Sequence, residues 1–366
     1  MQFYQILSWF KRNLTEIILS QRKTIAYLVY GLIRNRKIGV ASIGRGMKTN
    51  TSVRHNIKRV ARYLSNDKIS IDKSLLSMQK IICSKTKILL IILDWTTLPK
   101  QGYQILKASV VGEGRAIPFI FKTYKEGTIK QKQTFFEKNL IEKVIKIIGY
   151  EKEIIFIMDK GFGQKPELLD YIKKKGCFFI ARTKEIYNIK SNLYTGKIKN
   201  LKTKPWEILK ISDAELLFDY RSRNIKKLIC NIIITQKVNI YSRWILCTNI
   251  KNKPDELIIK LYYKRMTIEE FFKDSKNVDN GFCFKKLKLS NENRFDKMLL
   301  ILCYAYLLLI LLGCYMEEQN KHRTLMANTV KYRSISYFQL GLFFFYRYKL
   351  SIPQLIKKIS LIRFDL

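Results

Sequence analysis

Two aspartates stand where an apolar run gives way to polar chain. Ile88 to Asp94 (ILLIILD) is apolar until its last residue, and Glu153 to Met158 (EIIFIM) leads directly into Asp159. Such continuous runs are expected of strands buried on both faces. A carboxylate just past the C-terminal end of a strand of this kind opens into the crevice of an α/β sheet. Two carboxylates on adjacent strands repel unless a divalent cation neutralises them, and Mg²⁺ prefers oxygen ligands. Taken singly, either aspartate also reads as a turn or cap residue.

A third element is the set Tyr262, Arg265, Glu269 and Lys276. On one continuous helix at about 100° per residue the four fall within a stripe of about 60°. Leu261, Ile268, Phe271 and Phe272 form the neighbouring face, so the helix is expected to bury one side and offer Tyr, Arg, carboxylate and Lys on the other. An acid flanked by cations is also how ordinary helix ion pairs look. Joined to two strand-end aspartates in a strongly basic chain, the combination is poorly explained by ordinary helix pairing alone.

These residues resemble a bacterial insertion-sequence DDE transposase of family four, whose hallmark is Tyr, two residues, Arg, three residues, Glu, six residues, Lys. Tyr262, Arg265, Glu269 and Lys276 match that spacing without a gap. The LDWTTL around Asp94, the Asp159-Lys160-Gly161-Phe162 run, the Gly114 to Pro118 run and an apolar segment at 298–316 are similar to family features, and the likeness covers roughly residues 45–345. It implies an RNase H-like catalytic core in which Asp94, Asp159 and Glu269 hold two Mg²⁺ ions, with Mn²⁺ able to substitute. It further implies hydrolytic nicking at the transposon ends and in-line attack of the freed 3′-OH on target DNA. Tyr262, Arg265 and Lys276 would grip phosphates near the cut, and Trp244 or Trp206 would stack a flipped base. The expected partner is double-stranded DNA, both transposon ends and target, bound by a homodimer, in a cytoplasmic and nucleoid-associated protein.

The composition agrees with a polyanionic partner. Among 366 residues, 69 Lys and Arg face 29 Asp and Glu, a formal net charge of +40, and 47% of residues are hydrophobic, which excludes a disordered basic tail. Residues 1–80 carry sixteen basic residues against three acidic ones. Arg54, Lys58, Arg59 and Arg62 share a helix face there and are read as DNA-backbone contacts, the plainer reading being a solvated face. Seven cysteines, an odd number with no Cys-x-x-Cys pair, argue against a disulfide scaffold or zinc ribbon.

The elements that must position these groups give an α/β fold: an RNase H-like core with a β-rich insertion, plus helical N-terminal and C-terminal segments. Residues 1–80 form the helical DNA-binding domain, 81–183 the first part of the core, and 184–243 the β-rich insertion. Residues 244–315 form the second part with the Tyr-Arg-Glu-Lys helix, and 316–366 a C-terminal helical segment suited to dimerisation. Met298 to Met316 is uncharged over nineteen residues, long enough to span a bilayer. It is read instead as a buried helix behind the sheet, against the strands of Asp94 and Asp159, and no signal peptide is recognised. Two other functions remain open: another RNase H-like DNA nuclease, and a catalytically inactive transposase-derived DNA-binding protein.

Overall fold

The computed structural model describes residues 3–83, 86–112, 114–218, 226–236, 243–276, 280–284 and 287–347. Helices come first: α1 (Phe3–Asn13), α2 (Leu19–Asn35), α3 (Val40–Gly46), α4 (Val53–Ser65) and α5 (Ile71–Cys83). Ser52 caps α4 by accepting from the His55 N–H. Val60, Tyr63 and Leu64 are buried along one side of this helix while Arg54, Lys58 and Arg62 stay exposed on the other.

The apolar runs become β1 (Ile88–Leu98), β2 (Tyr103–Val111), β3 (Ala116–Lys125), β4 (Glu153–Met158) and β5 (Phe178–Arg182), with α6 (Glu126–Ile129), α7 (Gln133–Ile148) and α8 (Pro166–Lys174) between them. Residues 184–243 supply β6 (Asn188–Lys190), β7 (Thr195–Lys197), β8 (Ile208–Phe218) and β9 (Lys226–Thr235), and β10 (Trp244–Thr248) follows. All ten described strands lie in one sheet, ordered β3-β2-β1-β4-β5-β10-β9-β8-β6-β7. Strand β1 pairs antiparallel with β2 and parallel with β4, and β5 is parallel to β4. The strands of 184–243 therefore extend the central sheet through β10.

Two expectations about the site-bearing elements need correction. Asp94 does not follow its strand but lies inside it: β1 runs to Leu98 because residues from Asp94 onward keep pairing with β2 after the β4 ladder stops at Leu93. The stretch from Tyr262 to Lys276 is not one helix. Helix α9 (Asp255–Tyr263) ends in a 3₁₀ turn, Lys264–Met266, before α10 (Thr267–Lys276) begins. A 3₁₀ turn advances by about 120° per residue rather than 100°, so the single 60° stripe does not hold.

Helix α11 (Glu292–Glu318) contains the long apolar segment, and its most apolar window is wholly buried inside the fold. Its neighbours correct the expected placement: it packs chiefly on the outer strand β3, on α2, and on α12 (Tyr337–Phe344), rather than on the strands of Asp94 and Asp159. The α11–α12 crossing is close because a Cβ at Gly313 would lie 1.9 Å from the Tyr337 carbonyl oxygen, and one at Gly341 would lie 1.9 Å from that of Leu309. Tyr304 within α11 donates to the Ser74 carbonyl at 2.7 Å, so its hydroxyl is satisfied without water. All seven cysteines are free and buried. Beyond α11 the described chain holds a 3₁₀ turn, Lys321–Leu325, and α12. The part of the C-terminal segment from 348 onward lies outside the described residues.

Candidate active site at Asp94 and Asp159

Leu93 and Met158 are register partners on parallel strands, which puts Asp94 and Asp159, the next residue of each chain segment, at the same level of the sheet. Both are half-buried. Asp94 accepts from Thr96 Oγ1 at 3.2 Å and lies 3.4 Å from Lys107 Nζ, both contacts falling on Oδ2. Asp159 folds back on its own loop: Oδ1 accepts from the N–H of Gly161 at 2.8 Å and of Phe162 at 3.3 Å. That loop is pressed onto β5, since a Cβ at Gly163 would lie 2.0 Å from the Arg182 carbonyl oxygen. Thr183 Oγ1 donates to the Gly163 carbonyl at 3.1 Å. Only glycine permits this approach, and it fixes the height of Asp159 over the sheet.

The Tyr262 side chain is 3% exposed and stands edge-on to Trp244 at 5.0 Å and 79°. Burial raises its pKa to about 12, with Arg265 and Arg182 pulling it down and Asp159 pushing it up. Tyr262, Arg265, Arg182 and Asp159 thus share one electrostatic neighbourhood. Arg265 Nη2 donates to Glu269 Oε1 at 3.1 Å, and the Glu269 side chain is 47% exposed. The adjacent Glu270 turns the other way, to Lys273 and, at 3.6 Å, to Arg115. Lys276 is the last residue of α10.

Asp94 and Asp159 offer hard oxygen donors at one level of the sheet, which suits a divalent cation. Glu269 faces Arg265 instead, and among the described residues no three His, Cys, Asp or Glu side chains gather closely enough to hold one ion. The fit is therefore good for two ligands and incomplete for the third.

Of the N-terminal cations, Arg54 and Lys58 project from α4 into solvent, whereas Arg59 and Arg62 line a groove of about 440 Å³ with Gln21, Thr24 and Lys68. Arg59 also lies over the Tyr27 ring, 5.5 Å from its centroid. Trp206 is 65% exposed, while Trp244 is packed against Tyr262 and Tyr263.

Several groups around the site were not singled out from sequence. Glu137 on α7 accepts from Trp95 Nε1 at 2.8 Å and from Lys165, joining the residue after Asp94 to the loop after Asp159. Burial raises the Glu137 pKa, opposed chiefly by Lys165. Its Oε2 is buried without a hydrogen-bond partner among the described residues. Arg115 donates to Asp274 Oδ2 at 2.8 Å, which also accepts from Tyr306 at 3.2 Å, fastening α10 to the β2–β3 turn and to α11. Lys107 was legible as the one cation in the apolar strand YQILKASVV; Glu137 carried no such signal.

Among curated proteins none matches the chain. The family model described as a transposase DDE domain matches residues 85–308, which begin just before β1, end within α11, and include both aspartates and Glu269. With well over half of its length in that match, the chain belongs to the DDE transposase family.

Proposed function

We propose that the protein is an insertion-sequence transposase of family four, acting on the terminal inverted repeats of its own element. The observation that carries this reading is the level placement of Asp94 and Asp159, with Arg265, Arg182 and Tyr262 grouped beside Asp159. The strand order β3-β2-β1-β4-β5, antiparallel on one side of β1 and parallel on the other, supports an RNase H-like core. Asp94, Asp159 and Glu269 are the residues that would hold two Mg²⁺ ions, or Mn²⁺ in their place. When bound, these ions supply acidification of the attacking water and neutralisation of the leaving oxygen.

The chain's own residues do the rest. Arg265 and Lys276 neutralise phosphates next to the scissile bond, and Arg54, Lys58, Arg59 and Arg62 hold the DNA backbone further out. A phosphate that draws Arg265 away releases Glu269 toward the aspartates, so DNA binding and assembly of the third ligand go together. Tyr262 keeps its proton at neutral pH, so its hydroxyl can accept from Arg265 and donate to a phosphate oxygen. Trp244 is better placed than Trp206 to stack an unpaired base, because it stands beside Tyr262. The partners are transposon-end and target DNA, engaged by a homodimer in the bacterial cytoplasm, in association with the nucleoid.

The test is a supercoiled plasmid carrying the element's two ends, incubated with the protein in Mg²⁺ or EDTA. Mg²⁺-dependent nicks at the ends followed by joined products support the reading. Nicking without joining would instead favour a simple nuclease, and end binding without any nick an inactive DNA-binding descendant.

A further inference from the structure

Strand β2 carries one ammonium group within its apolar stretch. Lys107 is 3% exposed and is the register partner of Asp94 across the β1–β2 ladder. Its Nζ donates to Thr96 Oγ1 at 2.7 Å, lies 3.4 Å from Asp94 Oδ2, and stands 3.7 Å from the ring centroid of Phe272 and 5.4 Å from that of Phe271. Both rings belong to α10, and Phe272 follows Glu269 by three residues, nearly one turn along the same helix. Around them Leu98, Ile105, Leu299 and Leu302 line a cavity of only about 40 Å³.

A cation this deep is costly unless its charge and its donors are met. Here the carboxylate meets the charge, the hydroxyl takes one N–H, and the aromatic face supplies a cation–π contact. The Lys107 side chain is thus a charged link between the strand of Asp94 and the helix of Glu269.

We propose that Lys107 is a positioning residue: it serves as the resident counter-cation of Asp94 and, through Phe272, sets the place of the helix that carries Glu269. The proposal rests on the reading of Asp94 and Glu269 as metal ligands. Because the ammonium bears on Oδ2, Oδ1 is the oxygen left to a divalent ion. Like charge then weakens the hold of Lys107 on the carboxylate while its hold on Phe272 persists. Charge at Asp94 and the placement of α10 are thereby linked through one side chain, ahead of any chemistry on DNA.

The experiment uses the full chain and reads two quantities besides activity: amide exchange of Thr267–Lys276 without metal, and Mn²⁺ affinity by electron paramagnetic resonance. Lys107→Met is expected to lower exchange protection across α10 by about tenfold, leave α4 unchanged, and tighten Mn²⁺ binding severalfold by removing the competing cation. Lys107→Arg should restore much of the α10 protection. Phe272→Leu should loosen α10 with little change in Mn²⁺ affinity, and it decides the matter alone if Lys107→Met fails to fold. Unchanged α10 protection in Phe272→Leu, or in a folded Lys107→Met protein, would overturn the proposal. Asp94→Asn separates it from the functional reading: equal Mn²⁺ affinity in Asp94→Asn and the unaltered protein would remove Asp94 as a ligand, while the metal-free exchange result would still decide the role of Lys107.

Discussion

Arg265 and Glu269 neutralise each other across the junction between the 3₁₀ turn and α10, with 3.1 Å between Nη2 and Oε1. The pair is partly exposed, 20% and 47% by side chain, and pairs of that kind contribute about 0–1 kcal/mol. The cation suited to a phosphate and the acid suited to a metal are thus held together weakly enough for DNA to separate them.

On the proposed reading, in which the carboxylates hold metal and the cations hold DNA, Asp94→Ala, Asp159→Ala and Glu269→Ala are each expected to abolish strand cleavage while leaving binding to end DNA largely intact. Gel-shift and nicking assays on the same preparations check this. Substantial nicking by the Glu269 variant would move the third ligand to Glu270 or overturn the three-carboxylate site. Both acids are paired in the free protein, Glu269 with Arg265 and Glu270 with Lys273 and Arg115, so the variant rather than the pairing decides between them.

Arg265→Ala and Lys276→Ala should each weaken end binding and reduce the log–log salt slope by roughly one unit, one phosphate contact each. For Arg265 a second effect follows from its pairing: Glu269 is freed in the absence of DNA, so Mn²⁺ binding by the unbound protein should not weaken. A salt slope identical to that of the unaltered chain, with activity lost, would assign Arg265 a structural role.

What the sequence made legible follows the range of the forces involved. The apolar runs announced β1, β4 and β5, and Pro254 with Asp255 and Glu256 announced the start of α9, because burial and capping are local signals. The extension of β1 past Asp94 was hidden: DWTTL alternates between faces and is held by β2, a contact that only the folded sheet supplies. The 3₁₀ break at Lys264–Met266 has neither Gly nor Pro to mark it. Lys107 against Phe272, and Glu137 against Trp95, join segments far apart in the chain, and no periodicity encodes such meetings.

Glu137 supplies a pH test. Its folded-state pKa lies above the ordinary glutamate value of 4.5, so ionising it costs the folded state more than the unfolded chain. Below about pH 4.5 the group is protonated in both states and the cost vanishes; it grows as pH rises through the raised folded value. Glu137→Gln, which copies the protonated form, should therefore gain stability relative to the unaltered protein as pH climbs from 4.5 toward 7. Thermal melts of both proteins across that interval measure the gap. A gap independent of pH would mean that the Lys165 and Trp95 contacts fully offset burial.

Leu308 lies near the middle of α11, 1% exposed, in a helix whose apolar window is covered by protein on every side. The buried cation of the same helix, Lys297, is already engaged, held by the carbonyls of Leu64 and Asn66 at 3.1 and 2.9 Å and lying 3.7 Å from Asp67. Leu308→Asp is expected to destabilise the fold by several kcal/mol, through the uncompensated charge and the lost packing together. The outcome should be insoluble or protease-sensitive protein, whereas Leu308→Met, which nearly keeps the volume, should fold and cleave DNA normally. Expression of both variants with limited proteolysis of the soluble fraction reads the difference. A soluble, protease-resistant Leu308→Asp protein would show that α11 meets water or a partner on that face and is not the central helix of the domain.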